Sequence, residues 1–211
     1  MTPAAELAVE ETRASGDPAF IEERTWFDRS AAVVATELIG GLLVHDTPAG
    51  RVMGRIVEVE AYLGPEDTAA HSSHGKTPRN AVMFGPPGHL YVYFVYGMHH
   101  CANVVCGPDS KPEAVLLRAA EVTDGEALAR LRRGTVPATR LAAGPGNLAA
   151  AFDIDRSLNG ADLLTGPIRI GLRTAIPVID RTPRIGVGYA TGWAREPLRF
   201  VIRDDPHRSR R

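Results

Sequence analysis

The chain has 211 residues, of which 23% are charged and 44% are hydrophobic, a composition typical of one ordinary globular domain. A net charge of −1 excludes a strongly basic coat over the whole surface, although a local basic groove stays open. No run of about 18 apolar residues occurs, so the sequence predicts no membrane span. Cys101 and Cys106 should point to opposite faces of one strand and stay unbridged, which suits a reducing cytoplasm.

The two ends of the chain differ in composition from its middle. The first 22 residues are acidic and lack both a basic start and an apolar stretch, so we expect a disordered leader rather than a secretory signal. Residues 208–211 read as a basic tail. A single domain is therefore expected over residues 23–207.

Apolar spacing and turn residues predict the elements of that domain in chain order. They are a helix over 28–41, a hairpin over 42–64 that turns at 47–50, a short helix over 65–72, a loop over 78–89, strands over 90–97, 101–107 and 113–122, helices over 124–134 and 144–154, and strands over 167–173, 184–190 and 198–204. For the first helix, Asp28 or Ser30 is the expected cap. No repeat or linker separates these elements, so they predict one mixed α+β domain.

The stretch "RIVEVEAYLG" places three polar groups on one side of a predicted strand. Alternation puts Glu58, Glu60 and Tyr62 on one face, with the two carboxylates roughly 6–7 Å apart. That separation resembles the acid pair of inverting glycosidases, but any two residues spaced in this way show it. A solvated strand face is the alternative. The basic loop that follows favours an active site; its members are His71, His74, Lys76 and Arg79.

The stretch "YVYFVYGMHH", at 91–100, gathers four aromatic residues on one strand and runs them into a turn. Both faces of the strand are apolar, so core packing explains most of the rings. The tip is harder to explain in this way, because a short turn should be polar. An apolar wedge at a hairpin tip can open a base step in the minor groove, and rings behind it can stack an extruded base.

Five segments carry a family resemblance. They are "RIVEVEAYLGPEDTAAHS", "TPRN", "MFGPPGHLYVYFVYGMHHCANVV", "AVLLRAAE" and "RIGVGYATGWAREPLRF". In order and spacing they resemble the alkyladenine (3-methyladenine) DNA glycosylase family, from about Trp26 to the last predicted strand. Together with the elements above, the resemblance predicts a single α+β domain with a curved, largely antiparallel sheet, surrounding helices and a protruding β-hairpin.

The resemblance implies that three positions carry the chemistry. Glu60, in "VEAY", matches a general base that activates water to attack the sugar C1′. Arg118, in "LLRA", matches an arginine that helps to position the water, and Ile185, in "RIGVG", matches a residue whose backbone carbonyl also holds it. Water is then the nucleophile, and neither a metal nor an organic cofactor is required. The matched pocket strands contain no lysine, so a monofunctional enzyme that leaves an abasic site is expected.

Further matches imply how the base and the duplex are held. Tyr62 and His71 match one side of a base pocket, Tyr93 matches the other side, and Asn103 matches a residue that disfavours the exocyclic amine of guanine. The duplex contacts comprise a side chain inserted into the stack, Tyr96, and the flanking minor-groove residues Val95, Met98 and His99. The implied partner is double-stranded DNA with damaged purines, bound by a monomer in the cytoplasm and, in a bacterium, at the nucleoid.

Two alternative functions stay open at the sequence level. A non-catalytic protein that recognises damaged DNA would present the same wedge and pocket. A metal-dependent hydrolase would draw its ligands from a larger set, although the usual zinc spacings are missing; that set is Glu58, Glu60, His71, His74, His99 and His100.

Overall fold

The structure is a computed structural model that describes residues 17–108 and 111–209. In this part of the chain, nine strands form one antiparallel sheet and three α-helices pack around it, which confirms the predicted single α+β domain. The helices are α1 (Ala31–Leu38), α2 (Glu126–Arg133) and α3 (Pro145–Ala151). The strands are β1 (Leu42–Thr47), β2 (Gly50–Tyr62), β3 (Leu90–Val95), β4 (His99–Cys106), β5 (Glu113–Asp124), β6 (Ala142–Ala143), β7 (Ile168–Gly171), β8 (Ile179–Thr182) and β9 (Arg199–Ile202).

The long strand β2 lies at the centre of the sheet. The main strand order is β3-β4-β5-β2-β1-β7, while β6 pairs with β5 and the β8–β9 pair joins β2 beyond the end of β1. The pairing of β2 with β5 shifts register on both sides of Glu58. Such bulges bend a strand and re-aim its side chains, and they are common beside active sites.

Helix α1 shows how the core is built and how a distant residue completes a local element. Its buried residues follow the helical spacing of one apolar face: Ala31, Val34, Ala35 and Leu38. Neither predicted cap, Asp28 or Ser30, satisfies its first turn through a side chain. The carboxylate of Glu113, on β5, instead accepts the Ala31 N–H at 2.6 Å.

Both predicted ends of the domain differ from the structure. Residues 1–16 of the expected leader lie outside the described residues, but residues 19–21 run along β7, where the Ile21 N–H donates to the Ile170 carbonyl at 2.9 Å. The leader therefore does not extend to residue 22. Ser209, assigned to the basic tail, is buried and hydrogen-bonded to Glu58. Arg210 and Arg211 lie outside the described residues.

Two predicted elements are wrong for identifiable reasons. Residues 65–70 form turns instead of a helix, because the Asp67 carboxylate accepts the backbone N–H groups of Leu63 and Ala69. Residues 71 and 72 begin a separate 3₁₀ helix, His71–His74. Residues 184–190 form a loop in which Gly186 has a φ of 78°. The strand in this region is β8, which lies in a segment for which no strand was predicted.

The predicted first turn and the unbridged cysteines are confirmed. The chain turns at Thr47–Gly50, where β1 and β2 pair in register. Cys101 and Cys106 are buried and unbridged. In the described part of the chain, every helix is too short or too polar to cross a membrane.

Candidate active site

A pocket of about 230 Å³ opens where β2, β3, β4 and β5 meet the loop at 184–190. Six residues predicted to act on the base or on the water line it together: Tyr62, His71, Tyr93, Asn103, Arg118 and Ile185. Val95 and Tyr96, from the predicted duplex-binding group, also line this pocket. The residues that the family resemblance assigned to one site thus come from four strands and two loops and line one pocket.

Glu60 is wholly buried beside this pocket, and its partners form part of the pocket wall. Its Oε1 accepts the Ile185 N–H at 2.7 Å, and its Oε2 accepts the Tyr62 hydroxyl at 3.0 Å. Arg118 Nη1 lies 3.2 Å from the same Oε2. A carboxylate offers about four acceptor sites, so these three contacts leave it one further hydrogen bond to accept. The contact from Ile185 is its backbone N–H, whereas the sequence predicted a role for its carbonyl.

Burial raises the pKa of Glu60, and the Arg118 charge together with the two hydrogen bonds opposes this rise only in part. A carboxylate with a raised pKa is a stronger base once ionised, which suits proton transfer near neutral pH.

Glu58 lies on the same side of β2 and is also wholly buried, so the solvated-face alternative is wrong for both carboxylates. Its Oε1 accepts from Nε of Arg118 at 2.9 Å and from Nε of Arg199 at 2.8 Å. Burial pushes the pKa of Glu58 upward, but these two guanidinium groups, together with two hydrogen bonds from Ser209, outweigh it and leave that pKa below its usual value. The two acids therefore differ: Glu58 is a fixed anion, while Glu60 is closer to exchanging a proton.

A second buried ion pair holds the other wall of the pocket. Arg184 and Asp67 have fully buried side chains and make two contacts, at 2.5 Å and 2.8 Å. The Arg184 guanidinium also donates to the Ala61 carbonyl and lies 4.6 Å from the centre of the Tyr62 ring. This arginine directly precedes Ile185, so one ion pair orders both the ring and the N–H group that contact Glu60.

Three rings form a cluster on the opposite wall. His71 and Tyr93 meet edge to face with centroids 4.5 Å apart, and Tyr91 and Tyr93 are 5.4 Å apart. The sequence grouped His71 with Tyr62 instead. A planar base cannot lie between rings as close as His71 and Tyr93, so these two share one wall. Tyr62 instead packs in a separate cluster that includes Val187. The core-packing interpretation of the aromatic strand holds for the buried Tyr91.

Hydrogen bonds and burial keep this cluster neutral. Nδ1 of His71 lies 3.0 Å from the Tyr91 hydroxyl, and burial lowers the pKa of His71. Burial also raises the pKa of Tyr91 to about 12 and raises that of Tyr93. An uncharged wall of this kind can face a purine without adding a competing charge.

Asn103 presents a defined polar group to the pocket. Its side-chain N–H donates to the Tyr91 carbonyl at 3.1 Å. Because that carbonyl can only accept, the orientation of the amide is fixed, and the Asn103 carbonyl oxygen is left to meet a ligand.

The β3–β4 hairpin ends in an exposed apolar tip. The chain reverses at Tyr96 and Gly97, which both have positive φ values, 54° and 67°. Bulky side chains seldom adopt this conformation, and such strained residues cluster at functional sites. Tyr96 is 84% exposed and Met98 70% exposed. His99 is exposed as well, but its ring lies against Gly146, where an added Cβ would come within 2.9 Å of His99 Cγ.

The pocket includes residues that received no role from the sequence. Arg79 lies 5.3 Å from the Tyr93 ring, and Tyr189, 67% exposed, stands at the pocket with its hydroxyl 3.4 Å from the Ala69 carbonyl. Both occur in motifs quoted above. Arg79 lies in a loop without periodicity, and Tyr189 lies in the segment 184–190, where the predicted strand is a loop in the structure. Cys101 lines the pocket too, and its spacing of two from Asn103 on β4 was an available signal.

The alternative of a metal-dependent hydrolase finds no candidate site in the residues that the structure describes. Nowhere among them do three or more His, Cys, Asp or Glu side chains gather as metal ligands would. Glu58 and Glu60, the acids in the proposed ligand set, are instead paired with arginines.

Comparison with known proteins agrees with this geometry. The family described as "Methylpurine-DNA glycosylase (MPG)" matches residues 25–206. A Streptomyces avermitilis protein named "Putative 3-methyladenine DNA glycosylase" is 47% identical over 189 residues, which cover 87% of this chain and 88% of that protein. A Methanocella arvoryzae protein of the same name is 46% identical over 190 residues, covering 89% and 95% of the two chains. The chain belongs to the methylpurine-DNA glycosylase family.

Proposed function

We propose that this protein flips alkylated or deaminated purines out of duplex DNA and hydrolyses their N-glycosidic bond with an activated water. The observation that carries the proposal is the buried Glu60 carboxylate, held beside a pocket with aromatic walls. In its ionised form Glu60 takes a proton from water as the water attacks C1′. Its negative charge also stabilises the oxocarbenium-like charge that develops on the sugar.

The pocket chemistry supports a damaged purine as the substrate. An alkylated purine carries positive charge or a weakened base pair, so it is extruded at a lower cost than a normal base. Electron-rich rings attract a cationic base, and here Tyr62 stands across the pocket from Tyr93 and His71. Arg118 and Ile185 would restrain the water, since both already contact Glu60.

We further propose a monofunctional enzyme that acts as a monomer and leaves an abasic site. Cutting the backbone through a covalent imine needs an uncharged amine at the sugar. The sequence contains two lysines, Lys76 and Lys111. Neither lines the pocket in the described part of the chain, and Lys111 is exposed and paired with Glu113 at 2.9 Å.

A panel of duplex oligonucleotides tests this function. Each carries one lesion, namely 3-methyladenine, 7-methylguanine, hypoxanthine or ethenoadenine, and each is incubated with the protein before the strands are separated. We expect breaks at the lesion only after alkali treatment, and none in the undamaged duplex. Breaks without alkali would contradict the monofunctional assignment. Tight binding of every lesion without release of any free base would instead establish the non-catalytic alternative.

Replacing Tyr96 with alanine tests the proposed wedge. We expect weaker binding to lesion-containing duplex, by about 1–3 kcal/mol, because the vacated stack loses the ring that fills it. The matched control is Ile176→Ala, which removes another exposed apolar side chain, 79% exposed. Equal affinities of the Tyr96→Ala and wild-type proteins in a fluorescence-anisotropy titration would rule out a wedge at this position.

A further inference from the structure

We propose that Glu58 and Ser209 are positioning residues that together hold the Arg118 guanidinium against Glu60. The inference rests on the function proposed above, which gives Glu58 and Ser209 no role of their own. Both side chains are nevertheless buried beside the catalytic carboxylate.

The Arg118 guanidinium bridges the two acids. Its Nε donates to Glu58 at 2.9 Å, while its Nη1 lies 3.2 Å from Glu60. A guanidinium group is planar and its donors keep a fixed geometry. Fixing Nε therefore fixes the direction of Nη1. Glu58 thus determines where the Arg118 charge meets Glu60.

Ser209 in turn fixes Glu58. Its backbone N–H donates to Glu58 Oε2 at 2.6 Å, and its hydroxyl donates to Oε1 at 2.8 Å. Arg118 Nη2 reaches the same hydroxyl oxygen at 3.4 Å. Ser209 thus contacts both members of the pair, and it is 151 residues away from Glu58 in the chain.

The segment that carries Ser209 is anchored independently of the site. The Arg208 carbonyl accepts from Arg140 Nη1 at 3.0 Å, and Asp205 accepts from Arg55 at 2.8 Å. These contacts tie residues 205–209, here called the strap, to Arg55 on β2 and to Arg140. The strap presents the Ser209 donors to Glu58 without help from the pocket.

Displacement of Arg118 should change the pH dependence of base release, which a loss of folding stability alone would not change. Arg118 lowers the pKa of Glu60 against the larger effect of burial. If Arg118 moves away, that pKa rises, and the acid limb of the rate profile moves to higher pH. Other charged or titratable groups facing Glu60 stay in place in the variants below; they are Tyr62, Tyr93, Cys101 and Arg184.

The first test compares Ser209→Ala with Ser209→Thr. Neither change alters a charge, and threonine keeps the hydroxyl. We measure single-turnover release of 7-methylguanine from duplex DNA between pH 4 and 9, because this cationic base needs no proton to leave. Ser209→Ala should lower the rate about fivefold, as expected for one lost hydrogen bond, and move the acid limb to higher pH. Ser209→Thr should keep both the rate and the acid limb at their wild-type values.

The second test compares Glu58→Asp with Glu113→Asp. Both shorten a buried carboxylate by one methylene and keep its charge, but Glu113 binds the start of α1, away from Arg118. We expect Glu58→Asp to lower the rate by about 10- to 100-fold and to move the acid limb upward, since small misplacements of catalytic groups have effects of this size. Glu113→Asp should leave both unchanged.

Thermal unfolding of each variant separates positioning from stability. If Ser209→Ala and Glu58→Asp unfold earlier but keep the wild-type rate and acid limb, the positioning role is wrong. If the wild-type protein releases no base from any lesion, the proposed function fails first. The two failures are therefore distinguishable.

Discussion

Replacing Glu60 with glutamine is expected to lower base release by about 100- to 10,000-fold, the usual contribution of a general base. Glutamine has the same shape but cannot take a proton from water. It also places an N–H₂ group among donors, because Ile185 N–H and Arg118 face the two carboxylate oxygens. Lesion binding should be kept, since Tyr62, His71 and Tyr93 are unchanged. Single-turnover release and anisotropy titration on the same duplex measure the two effects.

The matched control is Glu113→Gln, which neutralises another buried carboxylate outside the pocket. It should release base at the wild-type rate. In the wild-type protein the rate should rise with pH as Glu60 ionises, at a pH above the usual range of a glutamate because burial raises its pKa. Near-normal release by Glu60→Gln would remove Glu60 from the mechanism.

Replacing Asp67 with asparagine is expected to lower the free energy of unfolding by about 3–5 kcal/mol. The change leaves the fully buried Arg184 guanidinium without its counter-charge. One nitrogen of this group, Nε, already lacks a hydrogen-bond partner. The variant should also release base more slowly, because Arg184 orders Tyr62 and the neighbouring Ile185 N–H.

Denaturant unfolding of Asp67→Asn is best compared with that of Asp46→Asn. Asp46 pairs with Arg51 at 2.6 Å, but both side chains are partly exposed, at 41% and 29%. Exposed pairs contribute at most about 1 kcal/mol. If the two variants lose the same small amount of stability, the buried pair does not hold the pocket wall.

The sequence predicted strand faces and turns correctly where neighbouring residues determine them. Alternation placed Glu58, Glu60 and Tyr62 on one face of a strand, and the turn residues at 47–50 placed the first hairpin. The family resemblance assigned His71, Asn103 and Arg118 to one site, and these three residues line a single pocket.

The sequence failed where partners are distant along the chain. The environment of Glu58 depends on Arg118, Arg199 and Ser209, which are 60, 141 and 151 residues away. When these partners are not known, two acidic residues on a strand are interpreted as a solvent-exposed face. Residues 65–72 were likewise predicted to form a short helix, because Arg184, 117 residues after Asp67, could not be recognised as its partner.

The failure at residues 184–190 has a different cause. Alternating apolar and small residues predicted a strand there, but the Ile185 N–H donates to Glu60 instead of to a neighbouring strand. A backbone group used in a functional contact is thus lost to the sheet, and a pattern of side chains carries no information about such use.

The left-handed backbone at Tyr96 has one more consequence. The reversal at Tyr96 and Gly97 leaves the Tyr96 ring 84% exposed, so the local turn geometry alone is enough to direct this ring away from the core. If Tyr96 is the wedge proposed above, the turn already presents it, and the cost of opening a base step falls on the DNA. The proposed mechanism then predicts that discrimination between intact and damaged sites depends mainly on how readily each nucleotide leaves the helix.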